Sequence, residues 1–161
     1  KEREIMASLT PSMITSLMEN LKTGDGEALA TLFSGTYKGV FFLAKTLVRN
    51  PEAAKKIMKE AYTYIAQSAN AFDSNMDFNV WINKVVYQLG SQAAADGVEA
   101  VEEYESNDIM KVVEKMNLGQ KASVLLKYHQ GMSEKDIAKV IDEPLSAVKN
   151  YLQAAQDMIG G

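Results

Sequence analysis

Apolar positions fall at helical spacings through most of the chain. Ile14, Leu17, Met18 and Leu21 stand at i, i+3, i+4 and i+7, one face of a helix that Thr10 caps and Pro11 opens. Gly24 stops it, and Asp25 caps a longer helix with Glu27 in its first turn. Leu29, Leu32, Phe33, Val40, Phe41, Ala44, Leu47 and Val48 make that second helix strongly apolar. Gly35 and Gly39 lie inside it at a cost of roughly 1 kcal/mol each relative to Ala, which points to a close helix contact. Asn50-Pro51-Glu52 repeats the start signal, with Ala54, Ile57, Met58, Ala61 and Ile65 as the buried stripe. After the loop at Phe72-Asp73-Ser74-Asn75, the residues Phe78, Trp81, Ile82, Val85, Val86 and Leu89 give the cleanest stripe of all. No segment alternates with period two, so a sheet is not expected.

The second part of the chain also reads as helices. Met110, Val113 and Met116 mark a short one, and Ala122, Leu125, Leu126 and Tyr128 lie on the next, which Gly131 ends. Ser133 with Asp136 three residues on resembles a capping box. Ile137, Ala138 and Ile141 form the inner face of the helix it opens. Asp142-Glu143-Pro144 is a turn, and a last helix follows with Val148, Leu152, Ala155 and Ile159 inward. Two helices joined by a short turn, the second with a free face, is the helix-turn-helix layout. The expected fold class is all-α, in two helical domains.

Charge divides the chain at the same place. Residues 1–95 hold ten Lys/Arg against nine acids, and residues 109–161 hold seven Lys against six acids. Residues 96–108 hold six acids and no base, which reads as an acidic linker between a domain at 1–95 and a domain at 109–161. Cutting of the chain by a protease is expected first within residues 94–110.

Composition narrows the chemistry. With 47% apolar residues among 161, the chain can bury a core, and no apolar run is long enough to span a membrane. The opening Lys1-Glu2-Arg3-Glu4 has no apolar stretch of a signal peptide, and without an initiator Met the chain reads as a trimmed or partial one. There is no Cys and a single His, His129, so thiolate sites, disulfides and multi-His metal sites are excluded. No acid, base and nucleophile constellation is visible, and an enzyme, a metal site, a cofactor or a small-molecule substrate is not expected. His129 reads as a solvent-facing helix residue, Asp73 and Asp77 as loop caps, and Trp81 as core. The net charge of −4 contrasts with the basic footprint that nucleic-acid binders normally carry.

From about Gly24 to Ile159 the sequence resembles a bacterial sigma factor of the sigma-70 family, in its small extracytoplasmic-function class. GDGEALATLFSGTYKGVFFLAKTLVRNPEAA, EAYTYI and FDSNMDFNVWINKVV resemble region 2 of that family. VLLKYHQGMSEKDIAKVI followed by SAVKNYL resembles the helix-turn-helix of region 4. The resemblance implies a cytoplasmic transcription-initiation protein that binds core RNA polymerase through its β′ coiled coil and directs it to promoter DNA. An anti-sigma factor is a further partner that it implies. Carried over position by position, it assigns polymerase contact to Lys55, Lys56, Lys59 and Glu60. It assigns −10 strand contact to Asn83, Lys84, Tyr87 and Gln88, with Tyr87 the foremost base-stacking candidate, and −35 duplex contact to Ser146, Lys149, Asn150, Tyr151 and Gln153.

The departures from the family pattern concern charge. Lys55 and Lys56 stand where the family carries a run of acids, at an interface where sign sets partner choice. Tyr87 and Gln88 follow Lys84 where the family carries Arg, and Tyr151, Ala154 and Gln156 fall where its last helix has Arg. Losing about five phosphate contacts lowers duplex affinity by several powers of ten at moderate salt. The alternative reading is therefore a sigma-like interaction or regulatory module that has kept the fold and lost promoter binding. Such a module could compete for a partner, sense a signal, or serve as the cytoplasmic part of a larger membrane protein.

Overall fold

In the computed structural model, residues 9–73, 75–101 and 108–160 are described. They form helices and connecting turns, with no strand among them. The helices are α1 (Pro11–Lys22), α2 (Gly26–Val48), α3 (Pro51–Gln67) and α4 (Phe78–Ala95), then α5 (Asp108–Glu114), α6 (Leu118–Val124), α7 (Glu134–Ile141) and α8 (Leu145–Gly160). A 3₁₀ turn, Ala69–Ala71, follows α3, and α6 runs on into a π-helical turn, Leu125–His129. No helix of the described residues is long and apolar enough to cross a membrane. Part of the acidic stretch, residues 102–107, lies outside the described residues.

The helix starts lie where short polar side chains can take the first free amides. Thr10 accepts from the Met13 amide, Asp25 from Glu27 and Asn50 from Ala53, at 3.0–3.2 Å. Asp77 accepts from both Asn79 and Val80, and Ser133 from Asp136. Asn117, unremarked in the sequence pattern, caps α6 through the Gln120 amide at 2.8 Å. Gly24 and Gly131 take the left-handed conformation at the two ends where the sequence demands a stop.

The helices of the first unit pack around α2. It contacts α1, α3 and α4 and buries Leu32, Val40, Leu43, Ala44, Leu47 and Val48. Gly90 lets α4 come close: a Cβ there would meet the Leu47 side chain at 2.8 Å. Trp81 is only half-buried, stacking on Phe72 with centroids 5.9 Å apart, while Phe78 and Ile82 carry the stripe inward. This corrects the expectation of a core indole; the ring lies at the border between α4 and the loop after α3. In the second unit α6, α7 and α8 pack on one another and bury Leu126, Ile137, Val140, Val148 and Leu152. Ile159 is 42% exposed, because the last turn of α8 runs past that core.

The units are joined along α2 and α4, which meet α6 and α7 respectively. Arg49, left-handed at φ 53°, closes α2. Its carbonyl accepts from the Val101 amide at 2.7 Å, and its guanidinium lies 3.5 Å from Glu114. The Asn50 side chain both caps α3 and donates to the Glu99 carbonyl. Lys121 of α6 is buried, and its ammonium reaches the Thr46 carbonyl at 3.4 Å, in the last turn of α2 where the helix dipole favours a cation. Burial holds its pKa below the ordinary lysine value; Arg49 lowers it further and Glu114 works the other way.

Two stability outcomes follow from this packing. Ile82→Ala is expected to cost about 2–5 kcal/mol and Trp81→Ala about 2 kcal/mol, since only part of the indole leaves water. Urea denaturation of both variants checks the order, and a larger loss at Trp81 would make the indole the main anchor. Lys121→Met keeps the buried stem and removes the desolvated charge, so it is expected to leave stability unchanged or raise it by about 1 kcal/mol. A loss above about 2 kcal/mol in the same assay would show that the charge itself holds α6 to α2.

Candidate nucleic-acid and partner interfaces

Helix α8 presents one face to solvent. Ser146, Lys149, Asn150 and Gln153 are all exposed, at i, i+3, i+4 and i+7, opposite the buried Val148, Leu152 and Ala155. Lys149 is the only cation of that row, and the Gln153 amide donates to Asp157 at 3.2 Å. Tyr151, the fifth residue expected there, is elsewhere. It is half-buried on the flank of the helix, and its hydroxyl donates to Glu143 Oε1 at 2.7 Å. That bond to a carboxylate, more than burial, raises the phenol pKa.

The four candidate residues of α4 form two adjacent rows. Lys84 and Gln88 face outward beside a shallow cleft of about 620 Å³ shared with Glu60, Tyr64 and Trp81. Asn83 and Tyr87, also one turn apart, face the second unit. Asn83 is fully buried: its amide donates to the Asn79 carbonyl at 2.8 Å and exchanges two 2.9 Å bonds with the Gln130 amide. Tyr87 is half-buried with its pKa raised chiefly by that burial, and the Glu143 carboxylate adds to the rise.

Helix α3 carries Lys55, Lys56, Lys59 and Glu60 in full exposure, with Lys55 3.8 Å from Glu52. Lys55 and Lys59 edge an apolar groove of about 660 Å³ between α2 and α3. Its floor is aromatic. Phe33 stacks on Tyr37 at 5.1 Å and meets Tyr62 edge-on at 4.9 Å. Tyr62 is bonded to Thr36, and burial pushes its pKa up to about 12. No group of three or more His, Asp or Glu side chains able to hold a metal occurs among the described residues. Asp77 and Asp73 serve as backbone acceptors, and exposed His129 leans on Phe42 with ring centroids 4.7 Å apart.

Sequence reasoning missed four participants. Phe33 and Tyr37 are partly exposed, and their i, i+4 spacing off the buried row Ala28, Leu32, Val40 is a signal that could have separated them from the core. Gln130 and Glu143 carry no sequence signal of their own. Gly39 does: a Cβ there would come within 3.0 Å of the Gln130 side chain, the close contact that a mid-helix glycine announces.

Residues 106–155 match the family model described as Sigma-70, region 4. Over 177 aligned residues the chain is 23% identical to the ECF RNA polymerase sigma factor SigW of Bacillus subtilis (strain 168), covering 91% of this chain and 95% of that protein. CnrH, solved in complex with the cytosolic domain of CnrY, is similar over 89% of this chain and 92% of its own, with a TM-score of 0.72 and 15% identity. The sigma factor RpoE, solved with the anti-sigma factor NepR from Bartonella quintana, is similar over 75% of this chain and 89% of its own, with a TM-score of 0.59 and 16% identity. The structural likenesses carry the fold, and the sequence matches carry the resemblance. In sequence the chain resembles the extracytoplasmic-function class of the sigma-70 family over nearly its whole length, and its helix-turn-helix lies for the most part within the matched region 4.

Proposed function

We propose that this chain is a transcription-initiation factor of the cytoplasm that binds core RNA polymerase and brings it to promoter DNA. The observation that carries the reading is the uncovered row Ser146, Lys149, Asn150 and Gln153 on the second helix of the helix-turn-helix. Hydroxyl, amide and ammonium groups at that spacing suit base edges and phosphates of a major groove. Lys84 and Gln88 offer a cation and an amide to a displaced strand, and Tyr87 offers a ring once uncovered. The second surface is the α2–α3 groove with its lysine edge. It suits a helical partner that supplies apolar anchors and acidic flanks, as an anti-sigma factor can, and the lysines weaken a polymerase contact that the family makes there with acids.

One observation favours the other reading, a sigma-like module that no longer binds promoters. The α8 row has a single cation, and Tyr151 is spent on Glu143. Salt-dependent binding separates the two. Fluorescence anisotropy of a labelled promoter-like duplex is expected to show Lys149→Ala flattening the salt slope by about one unit, and Gln153→Lys steepening it by about one. Absence of duplex binding by the native chain even at low salt, with no gain in Gln153→Lys, would leave the interaction module as the function.

The partner surface is tested separately. Lys55→Glu with Lys59→Glu moves this face towards the negative sign that the family carries there and is expected to strengthen co-purification with core RNA polymerase by about tenfold, the scale of one to two charge pairs at an interface. Unchanged retention of the polymerase by this double variant would move the contact away from α3.

A further inference from the structure

The seam between the units is held in register by directional polar contacts. Asn83 and Gln130, 47 positions apart, exchange both of their amide bonds at 2.9 Å. A π-helical turn brings Gln130 there. Its amide bonds back five residues to the Leu125 carbonyl, and the widened turn sets its side chain against Gly39. Beside the pair, the His129 ring leans on Phe42. One flank of this junction is hollow, a cleft of about 870 Å³ bordered by Tyr37, Lys38, Asp77, Gln130 and Met132. Water can therefore reach the edge of the amide pair and take over its bonds as the units part.

The pair sits on the row that matters for α4. Of the four candidate strand contacts, Lys84 and Gln88 are reachable, whereas Asn83 is fully buried under Gln130 and Tyr87 is half-buried. We propose that the Asn83–Gln130 amide pair is an intramolecular latch. While it is closed, the turn before α7 masks Asn83 of α4, and a nucleic-acid strand reaches that residue only after the two units separate. The masking rests on the reading of α4 as a strand-binding helix; the latch itself does not.

Because the chain has no Cys, engineered thiols report on the seam without interference. A Cβ at residue 39 would lie 3.0 Å from Gln130 Cγ, so Gly39→Cys with Gln130→Cys places two thiols within bridging reach. The full chain carrying this pair is expected to cross-link under mild oxidation. The oxidised form is expected to bind a short labelled A/T-rich single strand at least tenfold more weakly than the same protein after reduction. In a second set, dyes on Tyr64→Cys and Asp157→Cys, both exposed positions, report the distance between the units by energy transfer. Gln130→Ala is expected to lower the transfer. It is also expected to tighten strand binding on the order of tenfold, the worth of two hydrogen bonds removed from the closed state. Helix content by circular dichroism is expected to stay that of the parent in each variant. Failure to cross-link, or unchanged energy transfer in Gln130→Ala, overturns the latch. Equal strand binding by oxidised and reduced protein overturns the masking. Cross-linking and a longer distance with no strand binding in either redox form support the latch and instead remove the strand-binding reading of α4.

Discussion

A 23-residue helix that is apolar over most of its circumference cannot stand in water, and the burial of α2 (Gly26–Val48) organises everything else. It is covered by α1, α3 and α4, and α6 of the second unit reaches its last turn through Lys121. Gly90 and Gly39 mark two places of close approach. The aromatic row Phe33 and Tyr37 lies where α3 does not reach across the helix, and it becomes the floor of a groove. The same helix thus supplies the core, the seam and one wall of the groove.

The end of α2 shows how a polar residue can be buried without being stranded. Lys121 enters the seam beside the carbonyl end of the helix, where the dipole offsets part of the cost of taking an ammonium out of water. Arg49 turns left-handed just beyond, and its carbonyl catches the returning chain at Val101. Four groups from three segments meet there, so the return of the chain and the docking of α6 depend on one another. The amide pair of Asn83 and Gln130 repeats the logic elsewhere on the seam, since the buried Asn83 without Gln130 would keep only its bond to the Asn79 carbonyl.

The surface chemistry splits between the two units. On α3 the exposed charges are mostly basic and edge an apolar groove, an arrangement suited to an acidic amphipathic partner. On α8 the exposed row is nearly neutral, so contact there depends on hydrogen bonding more than on charge. Under the function proposed above both surfaces serve one process, with specificity coming from base edges and affinity from the polymerase.

Most of the fold was legible in the residues themselves. Helices are local objects: the 3.6-residue stripes, the caps Thr10, Asp25, Asn50, Asp77 and Ser133, and the stops at Gly24 and Gly131 act within a few positions of chain, and each is found where its chemistry puts it. The outward row Ser146, Lys149, Asn150 and Gln153 was legible for the same reason, because one helix's buried stripe defines its opposite face. What no local pattern could decide is which polar residue meets another far along the chain. Asn83 and Lys84 are neighbours of similar polarity, yet one is sealed under Gln130 and the other is reachable by solvent. Tyr151 leaves the α8 row for Glu143, and Trp81 stays half out of the core. Those outcomes were set by the docking of whole helices, through contacts whose partners lie tens of residues apart and whose energy exists only once the two surfaces have met.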